Sequence, residues 1–216
     1  MNKIHLLDNG LINKIAAGEV VERPASVVKE LMENSIDAGA TSITVEIAEG
    51  GTSVIKITDN GKGIPKDEIR TAFMRHATSK IDSFEDLENV LTLGFRGEAL
   101  SSIASVAQVE MLTRTENDSM GTRIVINGGV VDREEECAAN VGTVFYVKNI
   151  FFNTPARRKF LKKPATEGSY ISEIVNRIAL GHPNIAIKYV NNGNIVLQTN
   201  GDGNVKNSLF YIYGKD

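Results

Sequence analysis

Residues 42–59, SITVEIAEGGTSVIKITD, alternate apolar and polar side chains on either side of a Gly50-Gly51 turn. Side chains two apart share one face of a strand. Ile43, Val45 and Ile47 therefore line one face of a first strand, and Ile55 and Ile57 one face of a second. A hairpin with one apolar face has to bury it under another layer. Strand-like runs recur near 108–115, 121–127 and 142–148, and IAIKYV-NNGN-IVLQT (185–199) reads as a further hairpin around an Asn-Gly turn. Residues 23–38 (RPASVVKELMENSIDA) read as a helix, with Pro24 and Ser26 suited to its start and Gly39 to its end. Pro65 opens a helix through about Arg75, with Asp67 and Glu68 in the turn where the helix dipole favours acids. Glu98 to Ala107 is helical, and an amphipathic helix at about 167–180 carries Ile171, Ile174, Val175 and Ile178. Residues 76–96 form a long stretch with glycine and polar breaks around FEDLENV, and the tail from Gly201 reads as connector. Strands in adjacent pairs, without strict β-α-β alternation, point to an α+β fold with a mixed, mostly antiparallel sheet.

The 216 residues are enough for one sizeable core. A net charge of −3 argues against a polycation that coats nucleic acid, though a local basic patch is compatible with it. One cysteine, Cys137, and three histidines, His5, His76 and His182, can build neither a disulfide framework nor a four-ligand zinc site. No apolar run approaches about 20 residues, so no membrane span is expected. MNKIHLLDNGLINKI is interrupted by polar residues and lacks a signal peptide's apolar core. The expectation is a soluble, cytoplasmic protein.

Four segments can carry chemistry. At about 100° per residue, Glu30, Asn34 and Asp37 fall on one narrow arc of the first helix, beside the apolar stripe of Val27, Leu31 and Ser35. A glutamate there can serve as a general base toward water, and an asparagine oxygen suits a hard cation such as Mg²⁺. The same letters also make an ordinary polar helix border. Period 2 puts Asp59 on the face of Ile55 and Ile57, just before Asn60-Gly61-Lys62-Gly63. A carboxylate in that position needs donors, which an adenine amino group would supply; an Asp-Asn-Gly turn capping itself is the alternative. Leu93-Gly94-Phe95-Arg96-Gly97-Glu98-Ala99-Leu100 is a glycine loop running into a helix, either a phosphate cradle or a plain helix start. It matches neither the Walker nor the Rossmann pattern. Ala77-Thr78-Ser79-Lys80 adds hydroxyls and an ammonium upstream. Arg157, Arg158, Lys159, Lys162 and Lys163 form a cationic run, a site for DNA phosphates or a solvated helix face.

Taken together, Glu30-x-x-x-Asn34, Asp59-x-Gly61-x-Gly63, the Gly94–Leu100 loop and Gly142-Thr143 resemble, in order and separation, the GHKL ATPases. This group contains type II topoisomerase ATPase subunits, gyrase-like heat-shock chaperones, sensor histidine kinases and the MutL family of DNA mismatch repair proteins. The strings IAAGEVVERPASVVKELMENSIDAGA (15–40), RHATSKI (75–81), GFRGEALSSIASV (94–106) and FFNTPARRKFLK (151–162) are similar to the MutL branch, and the likeness spans nearly the whole chain.

The resemblance implies a Bergerat-type ATP-binding sandwich with helices on one face of the sheet. It implies slow, Mg²⁺-dependent hydrolysis of ATP, with Glu30 as general base and Asn34 as Mg²⁺ ligand. Asp59 would accept from adenine's amine with Thr143 in support, and Gly61 and Gly63 would let the backbone approach the nucleotide. Asp37, Thr78, Ser79, Lys80 and the segment Gly94, Phe95, Arg96, Gly97, Glu98, Ala99 and Leu100 would complete the nucleotide site, the last two groups as a lid over the phosphates. Such chemistry is mostly electrostatic positioning of a phosphoryl transfer to water. It also implies an ATP-gated homodimer in a longer protein, acting between the mismatch-recognition protein MutS and downstream repair enzymes. On this reading residues 1–22 are a dimer arm, 23–200 the ATPase domain and 201–216 the start of a connector to a second subdomain. That subdomain would supply a lysine to the γ-phosphate, so this chain alone is expected to turn over weakly. A non-catalytic ATP-binding scaffold or DNA-contacting module is the alternative.

Overall fold

The computed structural model describes residues 17–18, 20–77 and 97–214. Among these, eight strands form one sheet: β1 (Ser42–Ala48), β2 (Val54–Asp59), β3 (Gln108–Arg114), β4 (Gly121–Asn127), β5 (Val130–Cys137), β6 (Gly142–Lys148), β7 (Ala186–Asn191) and β8 (Asn194–Gln198). Their spatial order is β5-β4-β3-β6-β2-β1-β7-β8. Neighbours are antiparallel except β1 and β7, which run parallel. The helices are α1 (Pro24–Asp37), α2 (Ile69–Ala72), α3 (Ala99–Val106), α4 (Pro155–Arg158), α5 (Pro164–Gly181) and α6 (Val205–Tyr213).

The strand register explains the layering. It aligns Val45, Ile57, Phe145, Met111 and Ile124 in one row across β1, β2, β6, β3 and β4, and Ile47, Ile55, Val147, Val109 and Ile126 in a second. Every one of these side chains is buried, under a helical layer in which α1 and α5 pack together and α3 lies on β3 and β4. The opposite face carries solvated ion pairs instead: Lys56 with Glu46 at 2.6 Å, Lys148 with Glu110 at 2.9 Å, and Arg123 with Glu110 and Glu135 at 2.7 Å each. One covered and one wet face is the usual economy of an antiparallel sheet. The α+β class with helices on one face is the observed architecture. Among the described residues no helix is long and apolar enough to cross a membrane.

A third row of the same register, Ile43, Asp59, Thr143, Thr113 and Thr122, is polar from β2 onward and yet buried. Polar groups on the covered face cost free energy unless they satisfy one another or a ligand. This row, at one end of the core, positions the candidate site.

The elements differ from the sequence reading at four places. The helix expected from Pro65 to about Arg75 shrinks to the single turn of α2, because Ile69 is the one buried residue between 65 and 75 and gives a longer helix nothing to pack with. β5 was not expected; VVDREEEC lacks alternation because it is a solvated edge strand, and Gly128-Gly129 between two β runs was its available signal. α5 begins at Pro164, three residues before the expected 167, with proline in its first turn. The tail read as connector holds α6, whose Asn204 side chain caps Lys206 N–H at 3.0 Å. The stretch around FEDLENV and most of the proposed arm lie outside the described residues.

Candidate active site

Asp59 ends β2 at 8% exposure. Its Oδ1 accepts from Gly61 N–H at 2.9 Å and Thr143 N–H at 3.3 Å, and its Oδ2 accepts from Ser35 Oγ at 2.9 Å. Burial pushes the carboxyl above the usual aspartate range, opposed by the hydrogen bonds from Gly61, Ser35 and Thr143. A carboxylate offers about four lone-pair directions, and these three donors leave one for a group arriving from outside.

The surroundings hold the carboxylate from three sides. Ser35 lies on α1 beside Asn34, so its bond to Asp59 joins the helix carrying Glu30, Asn34 and Asp37 to the end of β2. Thr143 Oγ1 is 3.1 Å from Thr113 Oγ1, which also accepts from Ile64 N–H at 2.9 Å and ties the Asn60–Ile64 turn to β3. The turn glycines have neighbours in the chain itself. A Cβ on Gly61 would stand 2.9 Å from Ala38 Cβ, where Lys62 N–H bonds Ala38 O at 3.0 Å. Gly63 has φ +72°, and a Cβ there would lie 2.2 Å from Arg114 O. Both glycines let chain pass against chain, a need separate from any nucleotide approach.

Glu30, Asn34 and Asp37 are half-buried along the border of α1. Lys29 Nζ lies 3.3 Å from Glu30 Oε1 and 2.8 Å from Glu33 Oε2. Burial pulls the Lys29 ammonium down, but the Glu33 and Glu30 carboxylates outweigh it and hold it above the usual lysine range. An amide and two carboxylates on one helix border are hard oxygen donors, the kind Mg²⁺ takes in small number while phosphates and water complete its octahedron. The donor set fits that ion.

Of the expected lid, Thr78, Ser79, Lys80, Gly94, Phe95 and Arg96 lie outside the described residues. Its two borders meet. Arg75 Nη2 donates to Glu98 Oε1 at 3.2 Å, His76 Nδ1 stands 3.4 Å from the same oxygen, and a Cβ on Gly97 would be 2.6 Å from Ala77 O. The Glu98 carboxylate is thus turned to a cationic neighbour, while Ala99 and Leu100 open α3 and Leu100 packs against the core. In the cationic run, a Cβ on Gly18 would stand 2.1 Å from Arg157 Nη2, so that guanidinium lies on the segment before α1. Arg158, Lys159, Lys162 and Lys163 are exposed, around a Phe160 that is 83% exposed.

Two residues of the site were not expected as such. Ser35 lies on the apolar stripe of α1, where a hydroxyl is itself the signal. Thr113 follows Val109 and Met111 at period 2, which alone puts it on the covered face.

A profile of the family "Histidine kinase-, DNA gyrase B-, and HSP90-like ATPase" matches residues 22–141. The chain is 57% identical over its whole length to the DNA mismatch repair protein MutL of Agathobacter rectalis, covering 33% of that protein. It is 55% identical to the MutL of Caldanaerobacter subterraneus subsp. tengcongensis, covering 37%. It therefore spans about a third of the length of the curated relatives it matches. Among solved structures, the Aquifex aeolicus MutL ATPase domain complexed with ADP superposes with a TM-score of 0.75 at 31% identity, over 91% of this chain and 71% of that one. With these likenesses and a buried Asp59 joined to the Glu30–Asn34 helix, the chain belongs to the MutL family of DNA mismatch repair proteins, within the histidine kinase-, gyrase- and HSP90-like ATPases.

Proposed function

We propose that this chain binds ATP with Mg²⁺ between the Glu30–Asp37 border of α1, the Asp59 turn and the start of α3, and hydrolyses it slowly. The observation that carries the reading is the buried Asp59 carboxylate, three of its acceptor directions filled and one left, bonded to the helix of the candidate base and metal ligand. Asp59 receives the adenine amine, with Thr143 beside it. Glu30 would orient and deprotonate the attacking water, and Asn34 would hold Mg²⁺, which supplies positive charge against the phosphates when bound. Asp37 supports the same border. Residues 78–80 and 94–100, of which 78–80 and 94–96 lie outside the described residues, would enclose the phosphates. Residues 23–200 form the ATPase unit and residues 1–22 an arm. In a protein of its relatives' full length, ATP would gate homodimerisation between mismatch recognition by MutS and the downstream repair enzymes.

The direct test is a calorimetric titration with a non-hydrolysable ATP analogue, with and without Mg²⁺. The wild type binds in a Mg²⁺-dependent manner, and Asn34→Ala lowers the Mg²⁺-dependent affinity at least about tenfold, the size of one lost charge-assisted contact. No binding by the wild type would end the nucleotide reading.

Four exposed cations around the exposed Phe160 favour a second, additional role in contacting DNA phosphates. Such binding is sequence-independent, and its logarithm falls linearly with log salt as counterions are released. With Arg158, Lys159, Lys162 and Lys163 all engaged, the expected slope is about −3 to −4. A flat salt dependence would remove the assignment.

A further inference from the structure

Ser35 carries one proton and has two acceptors for it. Its Oγ lies 2.9 Å from Asp59 Oδ2 and 3.0 Å from Leu31 O, one turn back along α1. The side chain is 4% exposed. A hydroxyl gives its proton to one acceptor at a time. While the pocket is empty, the charged oxygen is the stronger acceptor and takes it. A donor from outside takes the lone pair of Oδ2 that Ser35 leaves open, so Ser35 and the ligand share that oxygen.

The Asp59 carboxyl has few other supports. From α1 the side chain meeting it is Ser35, with Glu30 and Asp37 on the neighbouring arc; β1 and β6 present Ile43 and Thr143, and the turn presents Gly61 N–H. Its ionisation is governed by burial, which favours the neutral acid, and by hydrogen bonds from Gly61, Ser35 and Thr143, which favour the anion; no charged side chain among those described contributes. Of the three donors, Ser35 is the one side chain and the one with another acceptor in reach.

We infer that Ser35 is a positioning residue that keeps Asp59 ionised while the base site is empty and leaves one lone pair of Oδ2 open to the donor of the incoming ligand. An ionised Asp59 presents lone pairs on both oxygens, whereas a neutral acid turns one of them into a donor that repels an amine. The base site is thereby held ready down to lower pH than burial alone would allow. The inference rests on the ATP reading above for its ligand, but not for its effect on the carboxyl.

Ser35→Ala tests it. Alanine is the best helix former and removes no backbone hydrogen bond, so the variant folds. Two measurements separate the inference from the reading it rests on. The first follows the Asp59 carboxyl carbon by NMR during a pH titration of the unliganded protein; its midpoint moves up in Ser35→Ala and returns toward the wild-type position in Ser35→Thr. The second compares the affinity of the ATP analogue for wild type and variant at each pH, so that titration of the ligand cancels. Measured against its own ratio to wild type at pH 8, the variant falls behind by about a further tenfold as the solution is acidified, the equivalent of one hydrogen bond to a charged group. An unmoved carboxyl midpoint overturns the inference whatever the nucleotide does. A variant that loses the same affinity at every pH shows packing instead and also overturns it. A moved midpoint in a wild type that binds no nucleotide supports the device and sinks the ATP reading alone.

Discussion

Asp59→Asn is expected to give a protein that folds as well as the wild type or better and has lost its affinity for ATP. The asparagine oxygen takes over the Gly61 and Thr143 N–H groups, which the wild-type Oδ1 accepts at 2.9 and 3.3 Å. Its amide nitrogen then faces Ser35 and donates to Oγ, while the Ser35 proton turns to Leu31 O at 3.0 Å. Every donor keeps an acceptor. Toward the pocket, however, an NH₂ group replaces an anion. An incoming amine loses a charge-assisted bond worth about 1.5–3 kcal/mol and meets a second donor, at a further cost of about 1–3 kcal/mol. Affinity for the ATP analogue should fall at least about a hundredfold.

Stability moves the other way, and the sign follows from the Asp59 carboxyl standing above its unfolded value. The folded state holds that proton more tightly than the unfolded chain does. The contribution to stability is fully present below the unfolded value, about pH 3.9, and is lost as the pH rises through the higher folded value. At neutral pH the ionised, buried carboxylate is a net cost that asparagine does not carry. The melting temperature of Asp59→Asn relative to wild type should therefore rise between acidic and neutral pH. A variant that melts well below the wild type at pH 7 would mean that the carboxylate serves the fold and not a ligand.

How far such a site can be read in advance depends on where its signal lies. The sheet was legible because one face of every central strand is covered, which forces the alternation in Ile43–Ile47, Ile55–Asp59, Val109–Thr113 and Phe145–Val147. β5 escaped because an edge strand wet on both sides has no such obligation, and α2 was overestimated because Pro65 and two acids mark a helix start without saying how much there is to bury. Asp59 stood out as a charge continuing an apolar face. Glu30 and Asn34 stood out through their spacing, but the bond that joins their helix to Asp59, from Ser35, is a tertiary one that no local pattern encodes. Gly61 and Gly63 were visible as glycines, whereas their close neighbours Ala38 and Arg114 come from elsewhere in the chain. Local periodicity finds which residues lie on a covered face; it does not find which of them touch.

Glu30→Ala should separate chemistry from binding. The side chain is 24% exposed on the border of α1, one turn before Asn34, and its contact in the folded chain is Lys29 Nζ at 3.3 Å. Losing that contact costs little stability, since a half-exposed ion pair is worth about 0–1 kcal/mol and Lys29 keeps Glu33 at 2.8 Å. Among the described residues no contact joins Glu30 to Asp59 or Thr143, so affinity for the ATP analogue should stay within about threefold. If Glu30 takes the proton of the attacking water, turnover should drop by about 10²–10⁴, or about 3–5 kcal/mol of transition-state stabilisation. Single-turnover hydrolysis, measured beside equilibrium binding on the same preparation, reads both quantities. Glu30→Gln sharpens the result, because it keeps the size and hydrogen-bonding reach of the side chain and removes its basicity. Equal losses in the alanine and glutamine variants, with binding intact, identify proton transfer as what the residue supplies. Unchanged turnover in both would leave a nucleotide-binding module whose helix-border carboxylate does no chemistry, and ATP would then act on this protein as a conformational ligand.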